Sequence, residues 1–521
     1  MSRLKKFTRS LMSGYLMLGV NIFYTLASVP LALHYLSIPE FGLWALTQQV
    51  ANFIALIDLG MSSSIGRILI DHKDNRSNGR YGGTLKSGIL VGLAQGLIVL
   101  IVGLSLVWFL AAWLRLPQEL ASTFFWLMTG QILLTAAMFG TRIFGHILYA
   151  WQRIDVTNYS GIIQLVVQFA TLWIGFVFGF GIYSLLAGAV AGLICGVGIT
   201  ALACVKLGFW PKAGEWSRAS RKQFRELFNY GAEVFLISIG SQLIISSQTI
   251  LISRQLGLES AAIWSVMTKI FSLVYQIILR IVGNAMPAFA EMQVRGELNL
   301  LWKRYRMLFN ITNVFAGVCA VLFAACNESF VMLWTNGKFS WPPVDNVLLA
   351  VWLVLLTQQC CHNSFIMGLK EIRSLKYIFI IEAGVFIVVA LAILPSTGMT
   401  GMLTCSILAT TLFTWLGGVW RIVGILKVGW KALAWDWQMP LLRVLLVMVP
   451  LWLVLAWILS DTSNLIRLAT NTCLLTAAGA WAAIRFALSF DLIGEIVGKL
   501  PQPLQRISIM LVGLIRPRRI D

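Results

Sequence analysis

Charge is what this chain has least of. Only 12% of its 521 residues are Asp, Glu, Lys or Arg, and acids are scarcest, 21 against 40 Lys and Arg. Residues 11–33 contain no acid at all. Nor is there an acid-rich loop of the kind that holds a metal-bound nucleotide, which speaks against a membrane-embedded glycosyltransferase. The eight cysteines, at 195, 204, 319, 326, 360, 361, 405 and 473, form no C-x-x-C pair, so neither a disulfide framework nor a zinc site is indicated. Cys360-Cys361-His362 imitates a ligand set, but consecutive helical residues point about 100° apart, and ordinary helix packing is the expected role.

What the chain has in excess is apolar surface: 58% of residues are hydrophobic and the mean hydropathy is +0.82. Apolar runs of about 20 residues recur, each long enough to cross a hydrocarbon core about 30 Å thick. About fourteen spans are expected, near 11–33, 41–69, 85–113, 120–148, 158–178, 182–205, 229–253, 260–289, 307–334, 346–369, 377–394, 398–420, 441–460 and 464–488. The fold class is therefore an all-α polytopic membrane protein. Arg3 to Arg9 followed by an apolar run to Leu33 resembles a signal peptide without a cleavage site, and reads as an uncleaved first span.

A net charge of +19 would suggest nucleic acid in a soluble protein. Here 31 of the 40 basic residues fall in alternate inter-span segments beginning with the N-terminus, and the opposite loops hold only Arg115, Arg254 and Lys338. That asymmetry reflects topology, with both termini cytoplasmic and no nucleic-acid partner expected. The opposite loops are short, the longest near Thr335–Asp345, so a polymerase or ligase domain outside the membrane is not expected either.

A shift of 220 residues places Leu36 on Leu256, Trp44 on Trp264, Gln49 on Lys269, Asn52 on Ser272 and Asn21 on Ser241. Six spans separate the copies, so both enter the membrane in the same direction, as in a parallel transporter repeat. The expected organisation is an N-terminal six-helix lobe (1–205), a basic cytoplasmic linker (206–228), a C-terminal six-helix lobe (229–425), two additional helices (426–488) and an interfacial cytoplasmic tail (489–521). Two such lobes are expected to enclose a central cavity. One functional protomer is the default.

The strongest functional signal lies between Ile263 and Asn284. Read as one helix, Ser265, Lys269, Ser272, Gln276 and Arg280 share a narrow face. Such a row is costly in a bilayer unless it lines water, substrate or partner side chains. On the seventh span Ser238, Gln242, Ser246, Thr249 and Ser253 share a face, and Asn21, Gln48 and Asn52 make a shorter seam on the first two. Single Ser and Thr residues in membrane helices more often cap backbone carbonyls, but five together suggest a polar cavity wall. Trp44 and Trp264 are expected in an interfacial aromatic belt.

Leu36 to Arg67 reads L-S-I-P-E-F-G-L-W-A-L-T…I-D-L-G-M-S-S-S-I-G-R. Through Leu36, Gly42, Trp44, Asp58, Leu59, Gly60 and Arg67 it resembles the N-terminal signature of the polysaccharide-transporter family. That family includes the O-antigen and lipid-linked oligosaccharide flippases and belongs to the multidrug/oligosaccharidyl-lipid/polysaccharide exporter superfamily. Arg254-Gln255-Leu256-Gly257 resembles its second-half counterpart. The resemblance implies two bundles around a V-shaped cavity lined by spans one, two, seven and eight. It also implies alternating access and passage of an undecaprenyl-pyrophosphate-linked glycan across a bacterial inner membrane, with polymerase and glycosyltransferases as partners and no cofactor. Ser37 stands where glycine is usual, and Gln248 where many relatives carry an acid.

On this reading Lys269, Arg280, Gln276, Ser272, Ser265, Gln242, Gln48, Asn52, Asn21 and Arg142 are candidate substrate contacts, Arg142 sharing a face with His146. Glu382 and Glu233 are candidates for H+ or Na+ coupling. Asp58, Gly60 and Arg67 are taken as structural, the two charges being about 13 Å apart along a helix and too distant to pair. A drug or toxin-cation antiporter of the same superfamily is the alternative. It would favour a carboxylate on the first span, where none exists.

Overall fold

The computed structural model describes residues 3–58, 60–74, 76, 79–217, 235, 239–240, 242–369, 375–426, 429–431 and 435–486. Their regular structure is helical throughout. The first helices are α1 (Arg3–Tyr35), α2 (Ile38–Ile54), α3 (Met61–His72), α4 (Arg80–Trp113), α5 (Gln118–Thr141), α6 (Ile143–Ala150), α7 (Ile154–Val177), α8 (Tyr183–Lys206), α9 (Ser247–Leu256) and α10 (Leu258–Met267). The later ones are α11 (Lys269–Val294), α12 (Leu298–Trp334), α13 (Pro343–Gly368), α14 (Leu375–Thr410), α15 (Leu416–Leu426), α16 (Met439–Ile458) and α17 (Asn464–Phe486). Among the described residues, ten segments are helices long and apolar enough to cross a membrane. One of them, Leu375–Leu426, has 52 residues and bends at Gly398 (φ 63°), long enough for the two crossings expected there. Internal packing groups the chain into one compact unit over Met1–Ser265 and another over Val266–Asp521. The tail 489–521 and residues 218–228 of the linker lie outside the described residues.

Local chemistry explains the signature stretch. Ser37 caps α2 reciprocally with Glu40: the Glu40 N–H donates to Ser37 Oγ, and the Ser37 N–H donates to Glu40 Oε2 at 2.8 Å. The serine that replaces glycine thus starts the second span. Gly42 lies where α2 meets α10 so closely that a Cβ would sit 2.0 Å from the Leu258 carbonyl oxygen and 3.4 Å from Ala262 Cβ. Under the 220-residue shift Gly42 falls on Ala262, so repeat-matched positions touch at this crossing.

The second span is not the continuous helix its hydropathy predicts. It breaks into α2, a 3-10 turn over Ala55–Asp58, and α3, with Gly60 left-handed (φ 70°) at the N-cap of α3. A break frees carbonyls that have no helical partner, and a bilayer offers no water to satisfy them. Gln95 of α4 supplies the missing donor: its Nε2 bonds Ile57 O at 3.0 Å and Asp58 O at 2.8 Å. Arg142, the residue joining α5 to α6, donates to both the Asp58 carboxylate and Gln95 Oε1. Arg142 thus brings Asp58 a partner from a different span, while the Arg67 side chain lies outside the described residues.

At one end of this unit, segments that the charge count assigns to a single side of the membrane meet. Arg76 donates to Gly208 O at 2.9 Å and Phe209 O at 2.7 Å, with its guanidinium over the rings of Tyr81 and Trp151. Arg9 and Arg153 both pair with Asp155, at 3.1 and 3.0 Å.

Two stability outcomes follow. Gly42→Val lowers the unfolding free energy in detergent by about 1–3 kcal/mol, because the helices must separate. Gly19→Ala, with nothing within 4 Å of the new Cβ, changes it by less than about 0.5 kcal/mol. Asp58→Asn costs about 1–3 kcal/mol by leaving Arg142 short of a counter-charge, and adding Arg142→Gln in the same chain recovers part of that loss. Thermal unfolding of the four proteins of that cycle measures the coupling.

Candidate functional site

The polar face between Ile263 and Asn284 spans two helices rather than one. α10 ends at Met267, Thr268 sits outside the helix (φ −87°, ψ 2°), and α11 begins at Lys269. Ser265 therefore belongs to α10, and Lys269, Ser272, Gln276 and Arg280 to α11. Exposure rises along the row: Ser265, Lys269 and Ser272 are half-buried, whereas Gln276 and Arg280 are exposed. Ser272 Oγ donates to Thr268 O at 3.0 Å, closing its own helix turn as serines in apolar helices commonly do. Lys269 makes no hydrogen bond or ion pair with any described residue. Beside it runs an apolar cleft of about 240 Å³, lined by Ile270 and Val274 of α11, Phe323 and Phe330 of α12, and Leu468 of α17. A larger cavity, about 550 Å³, lies at the far end of α11 among Gln293, Arg421, Trp420 and Trp430, away from Lys269.

In the first unit Asn21 and Gln48 are half-buried, and Asn52 is exposed with its Nδ2 donating to Gln49 Oε1 at 3.4 Å. Gln242 is half-buried. On the seventh span Ser246, Thr249 and Ser253 are buried, together with Gln248, inside a unit where α9 packs on α2. Ser238 and Glu233 lie outside the described residues. Arg142 is committed to Asp58 and Gln95, and His146 one turn on is packed near Gly66 of α3, its Nε2 buried without a hydrogen bond. The guanidinium offered as a substrate contact thus already serves the helix break.

Glu382 differs in setting from the solvated helix end that its position suggests. It is fully buried on α14 next to Thr414, in the π-helical segment Thr411–Trp415, and neither carboxylate oxygen meets hydrogen-bond geometry. A buried acid next to a π segment is a group that could exchange a proton with a change in helix packing.

Several linked residues gave no motif in the sequence. Gln358 Nε2 donates to Asn313 Oδ1 at 2.9 Å and Gln438 Oε1 at 3.0 Å, while its own Oε1 accepts from Trp415 Nε1 at 2.6 Å. Tyr305 Oη and His362 Nδ1 are 2.6 Å apart, and Cys361 Sγ lies 3.1 Å from Thr312 Oγ1. His362 and Cys361 thus reach different neighbours of α12, as helix packing requires. For Gln95 the readable signal was an isolated amide in the long apolar helix α4; Gln358 stands beside Gln359 on α13 and carries no such signal.

With this geometry in place, the chain can be compared with known proteins. Among curated proteins none matches it in sequence. A solved multidrug resistance MATE family transporter of the MOP superfamily, in its inward-facing conformation, superposes with a TM-score of 0.65 at 14% identity, covering 78% of this chain and 94% of that one. A MOP superfamily transporter from Pyrococcus furiosus, described as having a binding pocket of reverse polarity, gives 0.56 at 16% identity, covering 82% and 97%. The outward-facing MATE structure also gives 0.56, at 15% identity over 82% and 97%. At these identities the likeness establishes the fold. The sequence profile of the family described as polysaccharide biosynthesis protein matches residues 11–293, more than half of the chain. With that match and the MOP-superfamily fold, this chain belongs to the polysaccharide biosynthesis protein family.

Proposed function

We propose that the protein is a flippase that carries a lipid-linked oligosaccharide, of the undecaprenyl-pyrophosphate type, across a bacterial inner membrane by alternating access. The observation that carries this reading is Lys269. An ammonium group inside a membrane segment is retained only when it meets water, a counter-charge or a ligand. Lys269 has no described counter-charge, and the row that leads from it ends at Arg280, eleven residues and about 16 Å further along the helix. A pyrophosphate head group supplies a negative charge for Lys269, a glycan supplies hydroxyls for Gln276, and the apolar cleft beside Lys269 suits a hydrocarbon chain.

The family supports the polysaccharide side of the proposal, and the short loops opposite the basic segments leave little room for a catalytic domain there. Both termini are placed in the cytoplasm by the charge asymmetry, with one protomer as the working unit and polymerase and glycosyltransferases as partners. Glu382, buried beside the π segment, is the candidate coupling acid within the described residues, and H+ is the ion proposed for it. The antiporter alternative draws support from the fold of its MATE neighbours, but the first span has no acid to serve it.

In cells making the cognate glycan, Lys269→Ala lowers surface glycan by about tenfold or more and accumulates inner-leaflet precursor, as loss of a charge-assisted contact requires. Lys269→Arg retains most transport, and Arg280→Ala is intermediate. Membrane abundance of each variant is quantified in parallel. Unchanged glycan with altered export of a small organic cation sinks the flippase reading in favour of the antiporter.

A further inference from the structure

The break at Thr268 needs the same remedy as the break at Ala55–Asp58, and the second unit supplies it from the equivalent neighbour. Met267 is the last residue of α10, so its carbonyl stands where helical pairing ends. Asn327, on α12, donates from Nδ2 to Met267 O at 3.1 Å. The same amide donates to Asn346 Oδ1 at 2.8 Å, and Asn346 Oδ1 accepts from Trp341 Nε1 at 3.0 Å. All three side chains are buried, Asn327 and Asn346 to 2% exposure. The relay therefore runs from the segment before α13, through the first turn of α13 and the C-terminal part of α12, to a backbone atom two residues before Lys269.

We propose that Asn327 is a positioning residue for Lys269: by holding the Met267 carbonyl, it fixes the start of α11 and with it the direction in which the ammonium is presented. The proposal deepens the flippase reading and rests on it for the identity of what Lys269 meets. Several features support it. In both units the span that carries the polar face is broken, and in both an amide from the following long helix takes a carbonyl at the break, Gln95 in the first and Asn327 in the second. In both, a third residue holds the amide's oxygen or nitrogen, Arg142 for Gln95 and Asn346 for Asn327. A Leu at 327 would pack as well but leave the carbonyl to find another donor in a dry setting. It could do so by restoring a continuous helix through Thr268, which advances Lys269 around the helix axis.

Two readouts separate positioning from plain structural support. In purified protein, the acylation rate of Lys269 by an amine-reactive ester is read by mass spectrometry, with exposed Lys303 on α12 as the internal control. Asn327→Leu changes the Lys269 rate by about fivefold or more and leaves Lys303 unaltered, and Asn346→Ser, one step back along the relay, shifts Lys269 in the same direction by less. Binding of undecaprenyl pyrophosphate in detergent is then measured in two backgrounds. Asn327→Leu weakens it about fivefold to tenfold in the parent and adds nothing in Lys269→Gln, since the residue acts through the lysine. An unchanged Lys269 rate in Asn327→Leu and Asn346→Ser, or equal losses of binding in both backgrounds, overturns the proposal. If Lys269→Gln itself leaves binding intact, the substrate reading fails, while the acylation rates still decide whether Asn327 positions the lysine.

Discussion

A backbone carbonyl released inside a bilayer has no water to turn to, and much of this structure follows from that constraint. Helices that cross intact satisfy themselves. Two spans rich in polar residues do not cross intact: one breaks over Ala55–Asp58, the other at Thr268. Each break survives because an amide on a neighbouring helix replaces the missing donor. Gln95 is in turn held by Arg142, and Arg142 by Asp58, so two opposite charges in the apolar part of the chain are explained without a ligand. Lys269 has no comparable explanation among the described residues. That contrast between a spent cation and an uncommitted one is the strongest functional information in the molecule.

Close packing supports the same architecture. Gly42 admits the Leu258 carbonyl at a distance no side chain would permit, and the neighbouring Ala262 is the position it falls on under the 220-residue shift. Arg76, spread over Tyr81 and Trp151 and bonded to the carbonyls of residues 208 and 209, ties three basic segments of the first unit together. Such contacts make the unit rigid where the chain reverses, leaving the broken spans as the places where helix direction can change.

Much of this was legible in the residues themselves. Hydropathy located the spans, including the tight turn at Gly179 and Gly181, both left-handed. The Leu36–Arg67 motif pointed to the family that the sequence profile shows, and two of its residues, Gly42 and Gly60, have local jobs at a close helix crossing and a left-handed helix start. The helix breaks were not legible, since neither apolar run carries a proline at the break and a period of 3.6 passes through Thr268 unchanged. The pairing of Asp58 with Arg142 joins residues 84 apart, and no spacing rule reaches that far. The burial of Glu382 was not legible for a similar reason: position in a span gives depth, while burial depends on which neighbour covers the face, here the π segment around Thr414.

The most direct test uses purified protein reconstituted in vesicles with an undecaprenyl-pyrophosphate-linked saccharide bearing a reporter on the sugar. Transfer between leaflets is followed by loss of reporter accessibility to a membrane-impermeant quencher, with and without a small organic cation as competitor. The flippase reading predicts rapid transfer by the parent protein, little by Lys269→Ala, and no competition by the cation. Transfer at the protein-free rate, or an equal rate with Lys269→Ala, would contradict it.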